Sequence, residues 1–158
     1  MSQSGAQILM ESLEKKDQIL DEIIRENAVQ ERILKAEVLD MDALDLSTDR
    51  LGELTERLER LDDGFEAVYD RTREELLANK ESYRQEITRM QNLIGQITDK
   101  VVKINAGRMR NKMQAEAQFK KSRDQIGKAA SQVRVSRNYY NNMNQLNYVD
   151  PQFYDNKK

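Results

Sequence analysis

The chain of 158 residues contains no cysteine, no histidine and no tryptophan, with a single proline and six glycines. Each absence removes something. Without cysteine there are no disulfides and no thiolate chemistry. Without histidine the commonest general base and the commonest metal ligand are missing. Zinc sites, Cys/His nucleophiles and Ser/His/Asp triads each need at least one of the two. A carboxylate-only mechanism would need a water-excluding pocket, and this composition supplies little to build one. The expectation is a non-enzyme, with no catalytic residue, no cofactor and no metal. The opening stretch MSQSGAQILMESLEKK has neither the basic start nor the apolar run of a signal peptide. No segment approaches the roughly 18–20 apolar residues that span a bilayer. A cytoplasmic protein without membrane insertion is expected.

What is present is charge and length without interruption. Charged residues make up 34% of the chain and hydrophobic ones 38%. Abundant Glu, Lys, Arg, Leu and Gln with few breakers is the composition of long helices or coiled coils. A thick globular core is not expected from it. The fold class is all-α: an elongated antiparallel helical hairpin or three-helix coiled-coil bundle with a long third helix. Residues 1–137 form the bundle and residues 138–158 a flexible, aromatic- and Asn-rich tail. The net charge of −2 hides an asymmetry, because Met1–Glu75 carries 21 acids and 10 bases whereas Leu76–Lys158 carries 7 acids and 16 bases. Either the halves pack on each other, as an antiparallel hairpin favours, or one half meets a charged partner.

Three helices can be read. The first spans about Ala6 to Val38, with Leu9, Leu13, Leu20, Ile24, Leu34 and Val38 on one face, widened by Ile8, Ile19, Ile23 and Ile33. So broad a stripe fits a helix that packs on more than one neighbour. A break follows in LDMDALDLSTD, where Asp40, Asp42 and Ser47 are candidate N-caps. The second helix alternates threes and fours through Leu51, Leu54, Leu58, Leu61, Phe65, Val68 and Thr72, a coiled-coil seam. Near LLANKESYRQ, Asn79 can take the left-handed conformation that ends a helix, and Ser82 with Gln85 reads as a capping box. A continuous helix through residues 77–82 is the alternative. The third helix opens with the seam Tyr83, Ile87, Met90, Ile94, Ile97, Val101 and Ile104. The register then fails, since the next positions are Arg108, Asn111, Ala115 and Gln118. A weaker, shifted stripe takes over through Phe119, Ile126, Ala130, Val133 and Tyr140. By length, the first two helices run out opposite about residue 118, at about 1.5 Å per residue.

From Lys100 to Arg137 there are 11 bases and 2 acids, and Met109, Met113, Phe119, Ile126 and Val133 lie among them. A basic, sparsely apolar, Met-containing helix surface adapts to partner helices. The tail that follows holds Tyr139, Tyr140, Tyr148, Phe153 and Tyr154, five of the nine aromatics, and the only proline, Pro151. Its five asparagines between Asn138 and Asn147 disfavour regular structure. Spaced aromatics on such a segment either dock back on the bundle or order on a partner and bury area there. These ten residues, Met109 to Val133 and the five tail aromatics, are the candidate partner-binding set. Eleven bases on a helix could also follow a phosphate backbone, but no nucleic-acid recognition motif accompanies them and the acidic first half would repel phosphate. Neither nucleic acid nor a membrane surface is the expected partner.

Several features resemble the small helical export chaperones of the bacterial flagellum, the FlgN and FliT type. They are the broad first helix, the acidic break LDMDALDLSTD, the seam ending in LERLDDGFEAVYDRTREEL, the last-helix stretch ITDKVVKINAGRMRN and the ending RNYYNNMN…DPQFYDNKK. The likeness covers nearly the whole chain; its more specific parts are LDDGFEAVYD and the tail. It implies a cytoplasmic helical chaperone that masks an amphipathic helix of a late axial subunit (hook–filament junction, cap or filament) before type III export and hands it to the export apparatus. It points to the last helix and the region after it as subunit-binding, that is to Met109, Met113, Phe119, Ile126 and Val133, with the tail aromatics next. The alternative is a homodimeric coiled-coil adaptor or scaffold; a nucleic-acid-binding helical protein ranks below both. The seam pattern is shared by a three-helix monomer and a swapped dimer.

Overall fold

The structure, a computed structural model, describes residues 4–140, with side chains described to residue 134. The fold is an all-α bundle of three helices: α1 (Gly5–Lys35), α2 (Met41–Ala78) and α3 (Arg84–Tyr140). No strand occurs among the described residues. The compact unit closes at Asn111, and the remainder of α3 belongs to a second unit, Lys112–Lys158. Asn138, Tyr139 and Tyr140, assigned to the tail on sequence, are the last residues of α3.

Local chemistry sets each helix end. Ser4 caps α1, its Oγ accepting from the Gln7 N–H at 3.2 Å. Of the three candidate caps in the acidic break, Asp40 serves: its Oδ1 accepts from the Ala43 N–H at 3.0 Å, and Asp42 adds negative charge to the first turn of α2. α1 ends at Lys35, three residues before the predicted Val38. Ala36 is extended at φ −62° and ψ 147°, so Val38 leaves the helix and is exposed rather than part of the core face.

The chain does turn between α2 and α3, at residues 79–83, but not by the predicted device. Asn79 caps α2 with φ −122° and ψ 41°, outside the left-handed region. The Glu75 carbonyl accepts twice from Asn79, from its backbone N–H at 3.1 Å and from its side-chain Nδ2 at 3.1 Å, which closes the helix end without a left-handed residue. Tyr83, not Ser82, starts α3: its carbonyl accepts the Ile87 N–H at 2.8 Å. The third helical position is then Glu86, so Ser82 and Gln85 stand out of register for a capping box. The Tyr83 hydroxyl donates to Glu75 Oε1 at 2.6 Å, fastening the two helix ends across the turn.

Within the compact unit α1 is the shared element. Its broad stripe supplies Ala6, Leu9, Leu13, Ile19, Leu20 and Ile23 to one core cluster, joined by Leu76 from α2 and Met90, Ile97 and Ile104 from α3. Leu51, Leu54, Leu58, Leu61, Phe65 and Val68 pack against it as the predicted α2 seam. Each fully buried Leu or Ile of the core contributes about 1.5–3 kcal/mol, and the half-buried α2 seam residues less. Cross-links fix direction: α2 is antiparallel to α1 through Lys16–Asp62 (2.8 Å) and Ser47 Oγ donating to Glu26 Oε2 (2.7 Å). α3 is parallel to α1 through Arg89–Glu14 (2.9 Å) and Lys100 to Asp17 and Asp21 (2.8 and 2.9 Å). Acids of the first half thus pair with bases of the second inside the unit.

The register of α3 does not fail after Ile104, contrary to the sequence reading. Met90, Ile97, Ile104 and Asn111 form an unbroken run of buried positions at seven-residue spacing. Asn111 is tolerated there because its Nδ2 donates to the Asn27 carbonyl oxygen at 2.9 Å. Asn27 Nδ2 reaches the Ile104 carbonyl at 3.5 Å, and Asn27 Oδ1 is buried with no hydrogen-bond partner. Gly107 lies beside this pair; a Cβ there would meet Asn27 Nδ2 at 3.5 Å. The polar layer has the form of a register device, two asparagine side chains inside an apolar seam, each donating to a backbone carbonyl of the facing helix.

Candidate functional site

The five predicted partner-binding residues on α3 are exposed where the side chains are described. Met109 is 67% exposed, Met113 66%, Phe119 42%, Ile126 42% and Val133 54%. Met109 lies in the compact unit; the other four lie in the second. Phe119, Ile126 and Val133 share one face by their seven-residue spacing; Lys112 continues that face, Lys120 stands beside it, and Lys121 and Lys128 are exposed on the far side of the helix. Tyr139 and Tyr140 are helical in backbone, whereas Tyr148, Phe153 and Tyr154 lie outside the described residues.

A second exposed apolar surface went unread in the sequence. The seam residues Ile94 and Val101, expected to be buried, are exposed, as is Val102. The face of α3 that meets α1 runs through Met90, Leu93, Ile97, Lys100, Ile104 and Asn111, so the predicted 4-3 seam straddles its edge. Half of that seam is buried on α1. The other half opens into a cleft of about 410 Å³, walled by Leu61, Asp62 and Phe65 of α2 and by Ile94, Thr98, Val101 and Val102 of α3. Ser12, Leu13 and Lys16 of α1 form its floor. The signal was available only in part. Val101-Val102 places two apolar residues on adjacent faces of one helix, and a single seam can bury only one of them.

On the opposite side of the α1–α2 pair a wider groove of about 670 Å³ is lined by Lys15, Arg25, Arg57 and Arg60 around Ile19 and Leu61. Arg57 lies 3.7 Å from Glu22 there. Four cationic side chains thus gather in an otherwise acidic half.

Electrostatically, Lys100 is the most engaged side chain. The hydrogen bond to Asp17 raises its pKa above the ordinary 10.5, burial opposes this, and Asp21 adds to the rise. The phenol of Tyr83 is likewise held above its usual range, chiefly by the hydrogen bond to Glu75. Among the described residues no cluster of three Asp or Glu side chains is arranged to hold a metal ion, and no helix is long and apolar enough to cross a membrane.

These surfaces can bury apolar side chains and pair charges. No protein-family model, curated protein or solved structure matches the chain.

Proposed function

We propose that this chain is a chaperone of flagellar export: it holds an amphipathic helix of a late axial subunit, masks that helix's apolar face, and passes the subunit to the type III apparatus. The observation that carries the reading is the exposed face of Phe119, Ile126 and Val133 on α3, with Met113 exposed on another side of the same basic helix. A monomeric soluble chain rarely leaves so many large apolar residues in one row without using them. The mechanism is helix-against-helix recognition, with Met, Phe and Ile as the apolar contacts and Lys and Arg at the rim. Met109 and the tail aromatics belong to the proposed contact set by sequence. No bond is made or broken, and no cofactor takes part. The reading places the protein in the cytoplasm, where unassembled subunits await export.

The test is binding of purified hook–filament junction and cap subunits to the full chain, by calorimetry. The doubly substituted chain carrying Phe119→Asp and Ile126→Asp is the control. Binding by the native chain is expected, with loss in the double variant and unchanged helicity by circular dichroism. Equal affinity of the two chains would remove the proposed site, and no binding by either would remove the chaperone reading.

A further inference from the structure

We propose that the cleft between α2 and α3 receives the Phe119–Val133 stripe of a second copy of this chain. The stripe is the surface that the chaperone reading gives to a subunit, so a second copy and a subunit would compete for it; the test here needs no subunit.

The cleft is apolar where α2 and α3 face each other. Leu61 and Phe65 stand on one wall and Ile94, Val101 and Val102 on the other. Ile94 and Val101 repeat at seven residues, about 10.5 Å along the helix. Phe119, Ile126 and Val133 repeat at the same interval on an exposed face. Matching intervals allow side chains of an added helix to sit between those of a two-walled groove, as knobs enter holes in a coiled coil.

Charge selects this occupant. Asp62 of the α2 wall is neutralised by Lys16 of the floor at 2.8 Å, so the acid of this wall comes from the exposed Glu59 and Glu66, three and four residues from Asp62 on the same helix face. The α3 wall adds no charge there: Gln91, Thr98 and Asn105 recur along it at seven-residue spacing. The cleft therefore has one acidic lip. The stripe carries the opposite sign, since residues 112–134 hold six bases and two acids. The same contrast holds at larger scale. Met1–Asn111 has 24 acids and 17 bases, whereas residues 112–158 have 4 acids and 9 bases. Opposed potentials steer two copies together and set the polarity of their contact. Because α3 supplies both a wall of the cleft and the stripe, the stripe that fills a cleft is another chain's.

Sedimentation equilibrium of the full chain, across a micromolar-to-millimolar range at low and high salt, reads the association. The native chain is expected to self-associate, more weakly at high salt. Val102→Asp spoils the cleft and leaves the stripe, whereas Phe119→Asp spoils the stripe and leaves the cleft. Each alone should weaken association about tenfold or more, as loss of an apolar anchor does. Mixed one to one they should associate again, because the intact stripe of the first fits the intact cleft of the second. Both positions are exposed, so helicity should persist. Val102→Ser and Phe119→Ser repeat the experiment should either Asp variant lose it. A native chain that is monomeric throughout, variants that associate like the native chain, or a mixture that fails to associate would each overturn the proposal.

Discussion

Met90, Ile97 and Ile104 are buried, whereas Phe119, Ile126 and Val133 are exposed, although both trios stand seven residues apart on the same helix. Spacing alone therefore did not decide burial. The first trio meets the stripe of α1, where Leu13, Leu20 and Ile23 accept it, and three ion pairs and an amide layer hold it in register. The second trio has the period of a seam but not the burial of one. A seven-residue apolar repeat states that a helix is ready to be covered; a neighbour with a matching face has to cover it. The same lesson separates the two halves of the α3 seam itself. Ile97 is buried and Ile94, three residues away, lines an open cleft.

The comparison can be tested by substitution, beginning with the largest contrast. Leu20→Ala, at a fully buried site, should lower stability by about 2–5 kcal/mol in urea melts, while Phe119→Ala should stay within about 0.5 kcal/mol. Equal losses would mean that the distal stripe is covered in the free chain. Next comes the amide layer. Asn111→Leu alone should cost about 1–3 kcal/mol, because the buried hydrogen bond from Asn111 Nδ2 to the Asn27 backbone carbonyl is lost. Asn27→Leu together with Asn111→Leu should recover the loss or exceed it. A double variant as weak as the sum of the singles would show the layer to be structural padding rather than a coupled pair.

Glycines give a smaller contrast within the compact unit. A Cβ at Gly5 would press into the Thr72 side chain, so Gly5→Ala should destabilise by about 1–3 kcal/mol. Nothing lies within 4 Å of a Cβ at Gly64, and Gly64→Ala should stabilise by about 1 kcal/mol. Thermal melts of the two variants moving in opposite directions would confirm the packing of α1 on α2. The smallest effect is one of pH. Because Asp17, then Asp21, raise the Lys100 pKa above 10.5 against the opposing effect of burial, its contribution is complete below that value. It is lost only as pH rises through the higher folded-state value. Lys100→Met should therefore lower stability at neutral pH and flatten the decline at alkaline pH. An unchanged alkaline limb would mean that the α1–α3 ion pair adds nothing to the fold.

Much of this was legible in the residues. The helix count, the acidic break, the reversal near Asn79 and the α2 seam follow from periods and caps, which are local properties. The polar layer was misread for a physical reason. Asn111 looks like the end of a seam until Asn27, 84 residues away, is known to lie opposite it. The α2–α3 cleft was missed because Ile94 and Val101 fit an ideal seam, and only the rotation of α3 about its axis decides which half of that seam α1 takes. The five apolar residues of α3 chosen from the sequence as partner-binding candidates are exposed, since a basic helix with few apolar positions has little to bury.

By itself the sequence determined that this chain is helical, where two of its three helices begin, and which face of α1 is the core. Those outcomes rest on capping hydrogen bonds and on a 3.6-residue period, both set by neighbours in the chain. Tertiary structure alone decided that Asn27 and Asn111 pair, that Lys100 joins Asp17 and Asp21, and that Ile94, Val101 and Val102 face a cleft. Each depends on how far α3 is slid and rotated against α1. That setting minimises buried polar cost and unfilled volume over the whole interface, and no single stretch of sequence contains it.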